Sequence, residues 1–219
     1  MWVIPEASPE FVCAMEKVLD VYQRPYDGQY PVVCLDESPK QLIREKRVPV
    51  QAGNGATLYE SEYIREGVVQ LYMVFEPLAG ERQVHLRESN NRLEWAKIVA
   101  ELVEKQYAAA TKVTLVQDNL KAHKPAALYE VFEPQRAKSI LDRLEFVFTP
   151  KHGSWLNMAE IEFSVLTRQA IKGRIAEKQL LKERVQAWQR KRNQKKVKAN
   201  WQFKTKDARI KLRKLYPTI

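Results

Sequence analysis

Two short apolar runs each end in an aspartate. Val32-Val33-Cys34-Leu35 leads to Asp36, and Val113-Thr114-Leu115-Val116-Gln117 leads to Asp118. A nearly continuous apolar run of this length reads as a strand buried on both faces. Such strands belong to sheets covered by helices on both sides. The chain is thereby directed toward an α/β architecture with two acids at strand ends, where open sheets place their ligands. Taken singly, each aspartate is equally well explained as a loop cap that bonds local N–H groups.

The remaining segments supply helices and further strands. Over residues 8–22, Ser8 caps a helix, Pro9 takes its first position and Glu10 faces the positive dipole end. Phe11, Met15, Val18 and Val21 recur at helical spacing, and Arg24-Pro25 ends the run. Residues 38–58 hold Pro39, Pro49, Gly53 and Gly55 and read as loop. Residues 68–75 are β-rich, Pro77-Leu78-Ala79-Gly80 reads as a turn, and 83–87 alternates, which together predict an antiparallel hairpin. Ser89 or Asn90 then caps a helix whose stripe is Leu93, Ala96, Val99, Val103 and Tyr107. Short helices follow at 125–129 and 134–141, a strand at 144–148 and a helix over 154–171. Three mostly antiparallel strands followed by alternating helices and strands predict a mixed sheet flanked by helices.

The last of these helices adds a third acid. At ~100° per residue, Leu156, Ala159, Phe163, Leu166 and Ala170 form one stripe, with Glu160 and Glu162 on either side of it. Helical geometry alone leaves both glutamates open. Glu37, next to Asp36, points to the opposite strand face and reads as a supporting or surface acid. Carboxylates at two strand ends and a helix start are hard oxygen donors of the kind divalent cations take. Asn119 and His123 follow Asp118 closely, and His152 stands in the Lys151-His152-Gly153 loop. Each has a reading as a residue that supports the acids or contacts a phosphate, and a reading as a turn or cap residue. Gly153 allows a close backbone approach to a ligand. Three His and two Cys at these separations give no zinc spacing.

Charge is unevenly placed. Among 219 residues, 37 Lys and Arg oppose 27 Asp and Glu, a net charge of +10. The excess lies mainly beyond Lys172, with Arg190-Lys191-Arg192 and Lys195-Lys196 at its centre. That suits a polyanionic partner, against the plainer reading of a solvated basic face. Trp188 shares a helical face with Leu181 and Val185 and reads as packing, whereas Trp201 and Phe203 either dock the tail or insert at a nucleic-acid end. No run of ~18 apolar residues predicts a membrane span, and the first residues lack a signal-peptide pattern. Cys13 and Cys34 do not make a disulfide framework; Cys34 reads as a small buried hydrophobe. A cytoplasmic location follows as the expectation.

Four blocks carry a resemblance: Val33-Cys34-Leu35-Asp36-Glu37, Phe75-Glu76-Pro77-Leu78-Ala79-Gly80, Asp118-Asn119-Leu120 with His123-Lys124-Pro125, and residues 149–160. In this order they resemble the catalytic domain of bacterial insertion-sequence transposases in the Tc/mariner-like superfamily, the insertion-sequence six-thirty group. The resemblance implies an RNase H-like fold and metal-dependent DNA cleavage and strand transfer. It assigns Asp36, Asp118 and Glu160 as catalytic and metal-binding residues, Glu160 through the Leu156-Asn157-x-x-Glu pattern, with two Mg2+ or Mn2+ ions. Asn157 joins Asn119, His123 and His152 as supporting or DNA-contacting residues. Lys151, Arg190, Lys191, Arg192, Lys195 and Lys196 are the expected DNA-binding cations. The interval from Asp118 to Glu160 is longer than in eukaryotic mariner-like relatives, the extra length falling around residues 133–143. The implied partners are double-stranded DNA at element ends and target, a second copy of the chain on that DNA, and a separate helix-turn-helix half, since relatives carry one ahead of the catalytic domain. The implied location is the bacterial cytoplasm, at the nucleoid. The expected division is a linker helix over 1–26, a catalytic domain over 27–173 and a basic helical extension over 174–219. Two rival functions stand beside this one: a non-enzymatic DNA-binding or assembly protein derived from a transposase, and another RNase H-like nuclease such as a junction resolvase.

Overall fold

The computed structural model describes residues 8–47, 50, 51, 53, 57, 58, 61–119 and 123–217, so the first seven positions, most of the expected loop beyond 47, and residues 120–122 of the Asp118 motif lie outside the described residues. Its centre is a five-stranded sheet in the order β5-β4-β1-β6-β7. The strands are β1 (Val32–Glu45), β4 (Tyr63–Glu76), β5 (Glu81–Arg87), β6 (Val113–Gln117) and β7 (Leu144–Phe148), and a two-stranded ribbon of β2 (Val50–Gln51) and β3 (Thr57–Leu58) stands apart. β1, β4 and β5 pair antiparallel, while β1, β6 and β7 pair parallel. This is the mixed sheet that the strand and helix order predicts, and it agrees with the RNase H-like fold that the resemblance implies.

Both faces are covered. Val33, Cys34 and Leu35 are completely buried. Alternation along the strand sends Cys34 into one hydrophobic cluster and Val33 and Leu35 into the other. The second cluster is closed by α2 (Arg92–Glu101), a π-helical turn (Leu102–Gln106), α3 (Ala127–Val131) and α4 (Pro134–Asp142). The first is closed by α1 (Pro9–Tyr22), α5 (Met158–Gln169), α6 (Lys178–Gln194) and α7 (Thr205–Lys211). Cys34 is the buried hydrophobe expected, and its thiol is pushed up to about 12 by burial.

Several boundaries differ from the sequence reading. β1 runs on to Glu45 where a loop is expected, because its ladder with β4 continues to the Glu45↔Tyr63 pair, with one register shift between Leu42 and Ile43. Pro39 is tolerated there because the parallel partner stops at Cys34, leaving β1 an edge on that side. β4 likewise begins at Tyr63, ahead of its apolar half, and its first residues are largely exposed. Asn91, rather than Ser89 or Asn90, caps α2, its Oδ1 accepting the N–H groups of Leu93 and Glu94 at 3.0 Å. Ser8 caps α1 as read, accepting the Phe11 N–H at 3.3 Å.

The basic C-terminal segment is built into the fold. β5 is an edge strand, and an open edge is a pairing hazard that folds cover. α6 covers it with side-chain amides one helical turn apart. Asn193 accepts the Arg82 N–H at 3.1 Å and donates to the Arg82 carbonyl at 2.9 Å, and Gln189 accepts the Val84 N–H at 2.9 Å. Beyond α6 the chain lies on the β4–β5 turn, where Ala199 N–H donates to the Pro77 carbonyl at 3.0 Å. Gly80 has φ of +73°, and a Cβ there would meet the Lys196 carbonyl carbon at 2.6 Å. Trp188 is buried and donates to Gln169 at 3.0 Å. Trp201 lies against Tyr22 and Trp155, with ring centroids 5.4 and 6.5 Å away, and Phe203 packs on Trp155. The docking reading of these two aromatics is the one the structure follows. α1, α5 and α6 thus share one core with the sheet. A chain cut after Glu177 loses Leu181, Val185 and Trp188, each worth ~1.5–3 kcal/mol of burial out of a total stability of roughly 5–15 kcal/mol. Thermal unfolding of the truncated chain, followed by circular dichroism, is expected to lose its cooperative transition; a sharp transition retained near that of the full chain would contradict this.

Candidate active site at the diverging strand ends

The last parallel pair between β1 and β6 is Cys34↔Val116. Asp36 and Asp118 each stand two residues beyond it. In a strand, residues two apart share a face, so the register aims Asp36 to the same side as Cys34. That is the side on which α5 packs against β1 and β4. Glu160 stands in the first turn of α5, where the positive end of the helix dipole favours an acid.

Asn157 fixes the start of that helix relative to Asp36. Its Oδ1 accepts the Ala159 N–H at 3.1 Å, which makes it the N-cap, and its Nδ2 donates to the Leu35 carbonyl at 2.9 Å. The expected helix over 154–171 therefore begins at Met158, after a single turn of 3-10 helix over Ser154–Leu156. Asn157 is fully buried, and both of its amide atoms are spent on the scaffold. Gly153 is required for an internal reason as well: a Cβ there would lie 2.5 Å from the Pro150 Cγ.

Asp36 is the most perturbed acid of the group. Its pKa is pushed up to about 8, chiefly by burial, with added repulsion from Glu37, Asp118 and Glu160. The Glu37 N–H donates to its Oδ1 at 2.8 Å and only partly offsets these effects. His123 is buried between Asp118 and Glu37, with Nδ1 2.6 Å from Asp118 Oδ1 and Nε2 3.1 Å from Glu37 Oε2. Burial disfavours its imidazolium, but the two carboxylates outweigh burial and lift the pKa to about 9. The DNA-contacting reading of His123 does not survive this placement, since its side chain is wholly enclosed. Asn119, Lys151 and His152 border one groove with Phe148 and Phe11. Asn119, Lys151 and His152 are exposed there, which keeps them accessible to a ligand.

The two glutamates that helical geometry leaves open have different fates. Glu162 is buried in a bidentate pair with Arg192, at 2.7 and 3.2 Å. Its Oε1 also lies 2.9 Å from the Nε of Arg82, a fully buried guanidinium, although that N–H is not aligned on it. Arg82 further donates to Asn193 Oδ1 at 3.1 Å and to the Val197 carbonyl at 2.5 Å. Glu160 is only half-buried and contributes to the repulsion at Asp36. The same network engages the guanidinium of Arg192 with a structural carboxylate, although Arg192 also lines an open groove beside Lys191 and Lys195. Arg190, Lys191, Lys195 and Lys196 remain exposed, and Lys191 and Lys195 border an open groove with Arg184, Trp188 and Gln169. Sequence reasoning missed Arg82 and Asn193; the one signal available was an arginine inside a hairpin strand.

The donor set fits hard divalent cations: carboxylate oxygens only, one of them so poorly compensated that burial holds it well above the usual carboxylate range. Among the described residues no three acid, His or Cys side chains already converge tightly enough to grip an ion, and Asp118 keeps His123 as its partner.

The sequence profile of the DDE superfamily endonucleases matches residues 31–182, and the chain belongs to that family. None of the curated proteins compared with the chain matches it. Solved structures do. The Mos1 mariner paired end complex with Mn has a TM-score of 0.58 at 14% identity, covering 90% of this chain and 60% of that one. The Mos1 strand transfer complex gives 0.60 at 15%, with 90% and 60% covered. A pre-cleavage Mos1 transpososome gives 0.56 at 16%, with 90% and 64% covered. The chain thus spans less than two thirds of these neighbours, and identities this low speak for the fold. No helix among the described residues is long and apolar enough to cross a membrane.

The network at Glu162 makes a direct prediction. Removing one partner of a buried ion pair strands the other and costs ~3–5 kcal/mol. In EDTA, Glu162→Ala is expected to lose stability on that scale in urea denaturation, while Glu160→Ala loses little. Equal losses at the two positions would contradict the separate roles.

Proposed function

We propose that the chain is the catalytic domain of a DNA transposase, acting by metal-dependent cleavage of DNA and strand transfer. One observation carries this reading: Asp36 and Asp118 each stand two residues past the last parallel pair, and Asp36, which faces the side closed by the helix that carries Glu160, feels the charge of both other acids, in a chain of the DDE endonuclease family. In this proposal Asp36, Asp118 and Glu160 hold two Mg2+ or Mn2+ ions. Bound there, such ions polarise a phosphodiester and acidify a water or a 3′ hydroxyl.

The chain's own residues then have distinct tasks. Asp36 and Asp118 gather negative charge that is costly without a cation. Asn157 keeps Glu160 in register with Asp36 through the Leu35 carbonyl. Lys151, His152 and Asn119 bind the backbone of the DNA entering beside Asp118. Arg190, Lys191, Lys195 and Lys196 hold phosphates farther out, which positions DNA without reading its sequence. The finer assignments belong to the same proposal: the bacterial insertion-sequence six-thirty group, action as a homodimer on DNA at the nucleoid, and a separate helix-turn-helix half that recognises the element ends. The limits at 26 and 173 are likewise proposed, as segment boundaries within one folded unit, since α1 and α6 share its core.

The test is nicking of supercoiled plasmid in Mg2+ or Mn2+. Wild type is expected to nick, and Asp118→Asn, Asp36→Asn and Glu160→Gln to fall to the EDTA background while remaining folded. Nicking that survives in Asp118→Asn would refute the assignment. Joining of a 3′ end to target DNA separates transposition from a resolvase, which would instead cut branched DNA without joining.

A further inference from the structure

We propose that His123 is a positioning residue that holds Asp118 for its cation by bridging the two strand ends through Glu37. This inference rests on the metal site proposed above and gives His123, which the resemblance marks only as a supporting or DNA-contacting residue, a definite task there.

β1 and β6 diverge after the Cys34↔Val116 pair, and β1 continues with β4 alone. No backbone ladder therefore fixes the distance between the tips that carry Asp36 and Asp118. His123 spans that gap. Its Nδ1 contacts Asp118 Oδ1 at 2.6 Å, and its Nε2 lies 3.1 Å from Oε2 of Glu37, the residue that follows Asp36. That second contact is close but not aligned as a hydrogen bond, and neither atom has another hydrogen-bond partner among the described residues.

The bridge is itself held on every side. The His123 ring stacks on Trp95, with centroids 5.9 Å apart and planes at 22°. Trp95 Nε1 donates to Gln117 Oε1 at 2.9 Å, and Gln117 Nε2 donates to the His123 carbonyl at 3.3 Å. Glu37 is fixed from behind: Asn90 Nδ2 donates to its Oε1 at 3.1 Å, and the Tyr72 hydroxyl donates to Asn90 Oδ1 at 3.1 Å. A path from Tyr72 through Asn90, Glu37 and His123 thereby reaches Asp118, with Asn90 its one exposed link. A residue that orients a ligating carboxylate typically changes metal affinity when removed, even though it touches no metal.

Mn2+ binding to the full chain, measured by titration calorimetry, tests this. Wild type, Asp118→Asn, His123→Ala and Glu37→Gln are compared, with folding checked by urea denaturation in EDTA. His123→Ala is expected to bind Mn2+ roughly 10- to 100-fold more weakly than wild type, and Glu37→Gln more weakly in the same sense, with both chains folded. Wild-type affinity in folded His123→Ala overturns the inference. If His123→Ala does not fold, Glu37→Gln decides by the same criterion, since it keeps the shape of the side chain but withdraws the carboxylate that His123 faces. Wild-type binding abolished by Asp118→Asn but untouched by Glu37→Gln and His123→Ala overturns this inference alone. No Mn2+ binding by wild type overturns the proposed function and this inference with it.

Discussion

Three consecutive parallel pairs, Val32–Thr114, Val33–Leu115 and Cys34–Val116, are the constraint on which the rest of this structure depends. They join two segments that are far apart in sequence. They also require helices on both faces, because the paired residues are buried on both sides. Their register decides that the next same-face position on β1 is an aspartate, and an aspartate stands at the equivalent step beyond β6. A slip of one residue in either strand would turn one acid to the opposite face. The α5 helix, capped by Asn157 and tied to the Leu35 carbonyl, is fixed to the same stretch of β1. The candidate site is thus a by-product of the register of one short ladder.

Much of this was legible in the sequence. The buried strands declare themselves by composition, since residues packed on both faces leave no polar alternation. α1 declares itself by Ser8, Pro9 and a helical stripe. The hairpin at Gly80 does so by its turn residues. What misled the reading were features set by partners rather than by local preference. Pro39 and the polar stretch after it suggest a loop, yet twelve paired positions with β4 hold β1 extended to Glu45. Pairing outweighs the local signal because Pro39 lies past the end of β6, where no donor is needed on that side.

The two glutamates show the same limit in the site itself. On one helix, two residues apart, Glu160 and Glu162 are alike in sequence and in angle. Their difference lies in what other elements bring to them. β5 brings Arg82 and α6 brings Arg192 to Glu162, and both belong to segments that a local reading treats as hairpin and basic tail. The tail accordingly has two faces. One carries Asn193, Gln189 and Arg192 into the fold, and the other keeps Lys191 and Lys195 exposed. Counting cations by sequence alone merges the two: Arg192 reads as one more free cation, yet Glu162 holds its guanidinium.

The central claim is that Asp36, Asp118 and Glu160 form one cation site. Crystals soaked in Mn2+ and measured at the manganese absorption edge test it most directly. The account predicts anomalous density between Asp36 and Asp118, with Glu160 at its border and His123 still on Asp118. Manganese bound elsewhere with these three carboxylates empty, or bound at Glu162 in place of its arginines, would contradict it.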